Sequence, residues 1–521
     1  MDQAAAVDWS IAASVRRWAA LRPDAPCLSG AGVTRSWGEV YARAGRVANG
    51  LMSSGVRPQD RVVYIGRNRA EFFELMLGTS MAGGVSFAVN TRLSTREMLD
   101  IINDSQARML FIEAQLFDQL AERRAEMTHI AQVIVLGDES GYENWLANQR
   151  AGDPAVPVSE DDIALQIYTS GTSGAPKGVM FTNGAIRAST AINTVLELDE
   201  DSVVLIPMPV FHAAGSSLGI QALNAGALSV VVSRVVPDEL LTVIAERRVT
   251  MTNVVPSVLR DMVESPRCAE YDLSSLRTIS YTAAPMPLEV LKTSLKHLHC
   301  RFIQIYGMTE TNSATVLYPD DHLDESRPER LTSVGRPLPW VSVRLVDPAT
   351  GDDVAEGEFG EIWINAPSGM SGYWRAPEAT RAAMTSDGYV RSGDGGYFSG
   401  GYLFLQDRLK DMIVSGGENV FAGEVENALL AHEAIHEVAV IGVTSARWGE
   451  TVKAIVVREP AHPELSEVDV IAFAKTVLAG YKCPTSVDFI DALPKNPTGK
   501  VLKRDLRTSL GPTGTSAGNT V

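Results

Sequence analysis

The sequence predicts an α/β protein. It has a large N-terminal domain of layered α/β subdomains plus a β-subdomain, followed by a small α+β C-terminal domain. Three observations carry this. Capped helices alternate with short apolar strands from Ser36 to Tyr281, the pattern of layered units with largely parallel strands. Between Val334 and Asn365 the pattern changes to short strands broken by Pro-Ala-Thr-Gly and Glu-Gly-Glu turns. A further change follows Arg408, where strands and one helix make a compact unit of a size that folds alone. At 521 residues the chain is also too long for one ordinary core. The expected boundaries are 1–408 for the N-terminal domain, 409–411 for a hinge, 412–510 for the C-terminal domain and 511–521 for a disordered tail.

In chain order, Ser36-Trp-Gly-Glu39 has capping-box spacing, and Val40, Ala44, Val47 and Leu51 then recur at helical period. Gly55 is placed to end that helix, and Arg61 to Gly66 reads as a strand. Ser94-Thr-Arg-Glu97 opens another helix, with strands at Met109 to Glu113 and Val133 to Leu136. Ile163 to Tyr168 is a buried strand, and Val179 to Thr182 a short run before the turn-prone pair Asn183-Gly184. Pro237 to Arg247 suits a helix, while Thr250 to Val255 and Leu276 to Tyr281 suit strands. Near the C-terminus, Glu437 to Val443, Thr451 to Val457 and Val487 to Ile490 read as strands. Ser466-Glu-Val-Asp469 caps a helix in which Val470, Phe473 and Val477 share one face.

Composition narrows the function. The chain is 45% hydrophobic and 21% charged, with a net charge of −17. That charge argues against a nucleic-acid binder and requires any polyanionic substrate to be met by local lysines and arginines. Cys27, Cys268, Cys300 and Cys483 have no paired spacing, so a reducing cytoplasm is the expected location. His297, His299 and Cys300 lie close together but lack the second cluster that a metal site needs. No apolar run approaches a membrane span, the N-terminus lacks a signal-peptide core, and the tail lacks a Ser-Lys-Leu ending.

The stretch YTSGTSGAPKGV, Tyr168 to Val179, suits a phosphate. Glycines admit close backbone N–H approach, hydroxyls donate hydrogen bonds and Lys177 supplies charge. Pro176 and Gly178 flank that lysine, so the spacing is not that of the usual nucleotide P-loop. Downstream come MPVFHAAG with His212, TAAP at Thr282 to Pro285, and YGMTE at Tyr306 to Glu310. GYVRSGD with Asp394, DRLKDMIVSGGENV from Asp407 and PKNPTGKVLKRDL with Lys500 follow. Residues 208–222 contain no Asp or Glu, which disfavours an amino-acid substrate whose buried ammonium would need an anionic partner.

In this order and spacing the stretches resemble the motifs of the adenylate-forming (AMP-binding) enzymes, in their acyl-CoA synthetase and fatty-acid-CoA ligase branch. The resemblance implies that Thr169, Ser170, Gly171, Thr172, Ser173, Gly174 and Lys177 hold the phosphates of ATP. Ala283, Ala284 and Pro285 would edge the adenine, Tyr306 and Gly307 would lie against it, and Thr309 would bind the α-phosphate. Glu310 and Thr172 would hold Mg²⁺, a hard cation with oxygen ligands. Asp394 and Arg408 would contact the ribose, and Lys410 would be the hinge of a small mobile α+β C-terminal domain. Gly416 and Gly417 would border the pantetheine tunnel of coenzyme A. Lys500 would be the catalytic lysine, and His212 would border the acyl pocket. Ser173 stands where threonine is common, a change that keeps the hydroxyl.

The implied activity is conversion of a carboxylic acid, through an acyl-adenylate, to its CoA thioester. The implied cofactors are ATP, Mg²⁺ and coenzyme A as co-substrate. The expected partners are small molecules, with a homodimer allowed and no nucleic acid. Ala213, Ala214, Gly215, Ser216, Ser217, Ser313 and Ala314 are small, which favours a medium- or long-chain fatty acid or a bulky alicyclic one. The alternatives are an acyl-AMP ligase that loads a carrier protein, a luciferase-like oxygenase and a non-catalytic nucleotide-binding relative.

Overall fold

The computed structural model describes residues 7–137, 141–169, 176–408, 411–415, 418–445, 448–495 and 501–510. Its contacts form two compact units. The first holds the chain up to Leu331 with Gly335–Ser342 and Ile364–Val390, and the second holds Thr332–Val334, Val343–Trp363 and the chain from Arg391 on. The protein is mixed α/β, with a large N-terminal and a small C-terminal domain.

Local signals place many elements of the first unit. The Ser36 hydroxyl accepts from the Glu39 amide while the Glu39 carboxylate accepts from the Ser36 amide, starting the helix Trp37–Ser53. The same reciprocal cap at Ser94 and Glu97 starts Thr95–Ser105, and Pro at the first position starts Pro237–Arg247.

Two sheets organise this unit. Among the described residues one has nine strands, in the order Arg336–Pro337, Asn312–Leu317, Arg301–Met308, Thr278–Tyr281, Met251–Val254, Val203–Ile206, Leu228–Val231, Pro26–Gly30 and Val33–Ser36. Its middle is parallel and its two edges are antiparallel. The other has seven, in the order Gly372–Tyr373, Lys177–Thr182, Ile163–Thr169, Val85–Val89, Arg61–Ile65, Met109–Glu113 and Gln132–Leu136.

The helix Ala70–Met81 packs on Val85–Val89 of one sheet and Pro26–Gly30 of the other, so every residue in it except Glu71 is buried. Its sequence, AEFFELMLGTSM, therefore shows no polar face. The helix Ala213–Ala225 lies against the nine-stranded sheet and comes so close to Ala70–Met81 that a Cβ on Gly219 would sit 2.1 Å from the Phe73 ring.

In the second unit the β-subdomain seen at Val334 to Asn365 is completed from further along the chain. Ser342–Val346, Gly360–Asn365, Val390–Ser399 and Tyr402–Arg408 form one four-stranded sheet in that order. A separate sheet is built on the long antiparallel pair Ile435–Ser445 and Gly449–Arg458, with Ser486–Phe489 added parallel. The Ser466–Asp469 capping box forms, and Val470 and Ala474 enter the core beneath it. Val477 does not share that face; it is 51% exposed. The chain leaves the helix in extended backbone at Leu478, and that side chain turns onto the core in its place. Among the described residues no helix is long and apolar enough to cross a membrane.

Candidate active site

The parallel strands Val203–Ile206, Met251–Val254, Thr278–Tyr281 and Arg301–Met308 lie side by side, with Val254 opposite Tyr281 and Tyr281 opposite Gln304. Their carboxyl ends deliver the His212 loop, the Ala283–Pro285 turn and the Tyr306–Glu310 segment to one edge of the sheet. Ligands of open α/β sheets bind in the crevice outside such ends. Ala283 takes a left-handed backbone, φ 72°, and is exposed with Pro285, which turns the peptide edge outward there.

The Arg301–Met308 strand runs on through Tyr306, and the ladder to Asn312–Leu317 slips between Tyr306 and Gly307. A Cβ on Gly307 would fall 1.8 Å from the Asn312 carbonyl oxygen, so the close approach requires glycine. A tight turn follows, in which the Thr311 amide donates to the Met308 carbonyl at 3.1 Å and the Met308 amide to the Thr311 hydroxyl at 3.3 Å. Thr309 and Glu310 form its tip. Glu310 is only 8% exposed, and its Oε1 accepts a hydrogen bond from the Tyr373 phenol at 2.8 Å. Among the described residues no cation lies within ion-pair distance of it. A buried carboxylate without a cation is costly, and a hard cation with oxygen ligands is the partner such a group fits.

Tyr373 belongs to the short strand beside Lys177–Thr182, directly opposite Val179. Its ring lies 5.2 Å from the Lys177 ammonium, which has no carboxylate partner among the described residues. Thr169 and Lys177 face each other across the hairpin that carries the glycine-rich loop. Ser170, Gly171, Thr172, Ser173 and Gly174 lie outside the described residues.

His212 precedes the helix Ala213–Ala225 in extended backbone, and its carbonyl accepts from the Gly215 and Ser216 amides at 3.1 and 3.2 Å. Its Nε2 is buried, with no hydrogen-bond partner among the described residues. Burial, helped by the Arg92 charge, pushes the imidazole down to about 4, so the ring is neutral at pH 7. Gly215 is needed here, since a Cβ would come 2.3 Å from the Pro209 carbonyl oxygen. Asn68, buried at the end of the other sheet, holds the loop. Its Nδ2 donates to the carbonyls of Met208, Pro207 and Ile206 at 2.8, 3.3 and 3.4 Å, and its Oδ1 accepts from the Val210 amide at 2.9 Å.

The family profile described as AMP-binding enzyme matches residues 15–374, and that of the AMP-binding enzyme C-terminal domain matches 424–500. The chain belongs to the AMP-binding enzymes. It is 37% identical over 505 residues to a feruloyl-CoA synthase of Amycolatopsis, covering 95% of this chain and 98% of that one. It is 34% identical to the fatty acid–[acyl-carrier-protein] ligase ScoC of Streptomyces coeruleorubidus, over 93% of each chain. Its fold matches ATP-bound MatB from Rhodopseudomonas palustris with a TM-score of 0.87 at 29% identity, over 97% of this chain and 99% of that one.

As an AMP-binding enzyme the chain is an acid–thiol ligase of the AMP-forming class, using ATP, Mg²⁺ and coenzyme A. In the second unit Asp394 stands on a strand, paired directly with Arg408 across the antiparallel ladder. The two residues expected at a ribose are thus adjacent in space. The Arg408 side chain and the whole of Lys410, Gly416, Gly417 and Lys500 lie outside the described residues. Among the described residues no three His, Cys, Asp or Glu side chains gather as a metal site. Burial pushes the Cys300 thiol up to about 12, so it is not a ready thiolate.

Sequence reasoning missed Asn68 and Tyr373. Nothing local marks the asparagine. Tyr373 carried a usable signal, as one of two adjacent aromatics in the otherwise small and polar stretch SGYWRA.

Proposed function

We propose that this AMP-binding enzyme is an acyl-CoA synthetase that activates a medium- or long-chain fatty acid or a bulky alicyclic acid. The observation that carries the reading is the His212 loop. An uncharged imidazole with its Nε2 buried is followed by the half-buried small residues Ala213, Ala214 and Ser217, with no charged side chain from 208 to 222. Such a wall accepts apolar substrate without leaving a buried charge unpaired. Ser313 is half-buried beside the Glu310 turn, whereas Ala314 is fully buried and serves packing.

In the first half-reaction a carboxylate oxygen of the acid bonds to the α-phosphorus of ATP. The α-phosphorus–oxygen bond to the β-phosphate breaks, and pyrophosphate leaves with the electron pair. Thr309 orients the α-phosphate, Lys177 takes up charge on the departing pyrophosphate, and Lys500 stabilises the charge that builds at phosphorus. Mg²⁺, when bound by Glu310 and Thr172, neutralises phosphate charge. In the second half-reaction the CoA sulfur bonds to the acyl carbon, AMP leaves with the electron pair, and the thiol proton passes to solvent. The 412–510 domain turns about Lys410 between the two steps, exchanging Lys500 for Gly416 and Gly417.

A pyrophosphate-release screen over acetate, fatty, aryl and steroid-type acids, with the thioester identified by mass, tests this. Best turnover with acetate or an amino acid overturns the substrate reading. The similarity to ScoC favours a second reading, loading of a carrier protein; pyrophosphate release with fatty acid but no acyl-CoA selects it. Lys500→Ala should abolish adenylate formation yet spare thioester formation from supplied acyl-adenylate, and equal loss of both steps removes the assigned role.

A further inference from the structure

We propose that Tyr373 is a positioning residue for the metal-binding carboxylate, fixing Glu310 with its hydroxyl while its ring seats Lys177. This rests on the reading of Glu310 as a Mg²⁺ ligand.

The segment around Tyr373 holds Glu310 twice. The Met370 amide donates to the Glu310 carbonyl at 2.8 Å, and the Tyr373 phenol donates to Glu310 Oε1 at 2.8 Å. A carboxylate can only accept, so the phenol is the donor in this bond. Oε1 is thereby occupied, while Oε2 has no hydrogen-bond partner among the described residues and is left for a cation.

Tyr373 is itself firmly held. Its amide donates to the Thr380 hydroxyl at 2.9 Å, and the next residue's amide donates to the Gly178 carbonyl at 2.7 Å. The Trp374 indole donates to the Asp104 carbonyl at 2.9 Å, and the Arg61 guanidinium stacks 3.5 Å from its ring centroid. The strand pairing that places Tyr373 opposite Val179 brings its ring under Lys177. One immobilised side chain thus fixes two groups that act on the same triphosphate. A carboxylate ordered before the metal arrives loses little rotamer freedom on binding it, and groups that orient a metal ligand commonly change metal affinity strongly when removed.

The test uses the full-length protein with Mn²⁺ as probe, its binding to the protein–ATP complex read from loss of the free-ion electron paramagnetic resonance signal. Tyr373→Phe keeps the ring and removes the hydroxyl. It should weaken Mn²⁺ binding about ten-fold while leaving metal-free ATP binding and the melting temperature unchanged. Tyr373→Leu should show the same metal defect and also weaken metal-free ATP binding, because Lys177 loses its seat. Glu310→Gln should weaken Mn²⁺ at least as much as Tyr373→Phe. Wild-type Mn²⁺ affinity in Tyr373→Phe beside a defect in Glu310→Gln overturns the role of Tyr373 alone. Wild-type affinity in Glu310→Gln overturns the metal reading and this proposal with it. A lowered melting temperature with metal-free ATP binding lost in Tyr373→Phe overturns it in favour of a purely structural tyrosine.

Discussion

Glu310 and His212 are ionisable side chains that follow the carboxyl ends of parallel strands in one sheet, and the protein treats them in opposite ways. Glu310, 8% exposed, is gripped by a phenol and by a main-chain amide from one neighbouring segment. His212 has its Nε2 buried and unpartnered among the described residues, and desolvation drives the ring down to about 4. One site orders a carboxylate, while the other keeps an imidazole neutral beside small side chains.

The largest expected effect comes from removing the charge at the first site. Glu310→Gln keeps an oxygen that can accept from Tyr373 but loses the carboxylate. In ATP–pyrophosphate exchange kcat/KM should fall roughly 100- to 1,000-fold, about 3–4 kcal/mol. A fall below ten-fold would erase the contrast with His212.

The second test asks whether His212 is in fact held neutral. Its folded value of about 4 lies below the ordinary 6.5, so between these values the unfolded chain binds a proton that the native protein refuses. Stability therefore rises with pH across that window and is lost as pH falls through it, by up to about 3 kcal/mol. The urea midpoint of wild type, followed from pH 7 down to 4.5, should fall more steeply than that of His212→Gln. Parallel curves would mean that the imidazole is not excluded from protonation.

A smaller effect sharpens the comparison from the side of the scaffold. Asn68→Ala leaves the Met208 carbonyl and the Val210 amide without their clamp. It should cost about 1–3 kcal/mol of stability. Because the clamp acts on the His212 loop and not on the Glu310 turn, KM for the acid should rise several-fold and KM for ATP should stay constant. Equal rises in both would show that the two sites are not separately supported.

The contacts these supports make are not legible in sequence, for a definable reason. The caps at Ser36, Ser94 and Ser466 were legible because both partners of each hydrogen bond lie within three residues. Tyr373 meets Glu310 across 63 residues, and Asn68 meets Met208 across 140, separations at which no local pattern reports a contact. Ala70–Met81 escaped because a helix covered on all sides loses the periodicity that marks a helix with one solvent face. Val477 was misplaced for the complementary reason: periodicity continues to the last helical turn whether or not core remains beneath it.

By itself, then, the sequence determined the α/β class, the capped helices and, through the order of its motifs, membership among the AMP-binding enzymes. These rest on interactions within a turn or on short strings whose chemistry is local. Tertiary structure alone decided that a tyrosine holds the candidate metal carboxylate, that an asparagine pins the histidine loop, and that Asp394 faces Arg408. Those outcomes depend on strand order and burial, which fix the neighbours and the dielectric around each group. Neither quantity is written at any single position of the chain.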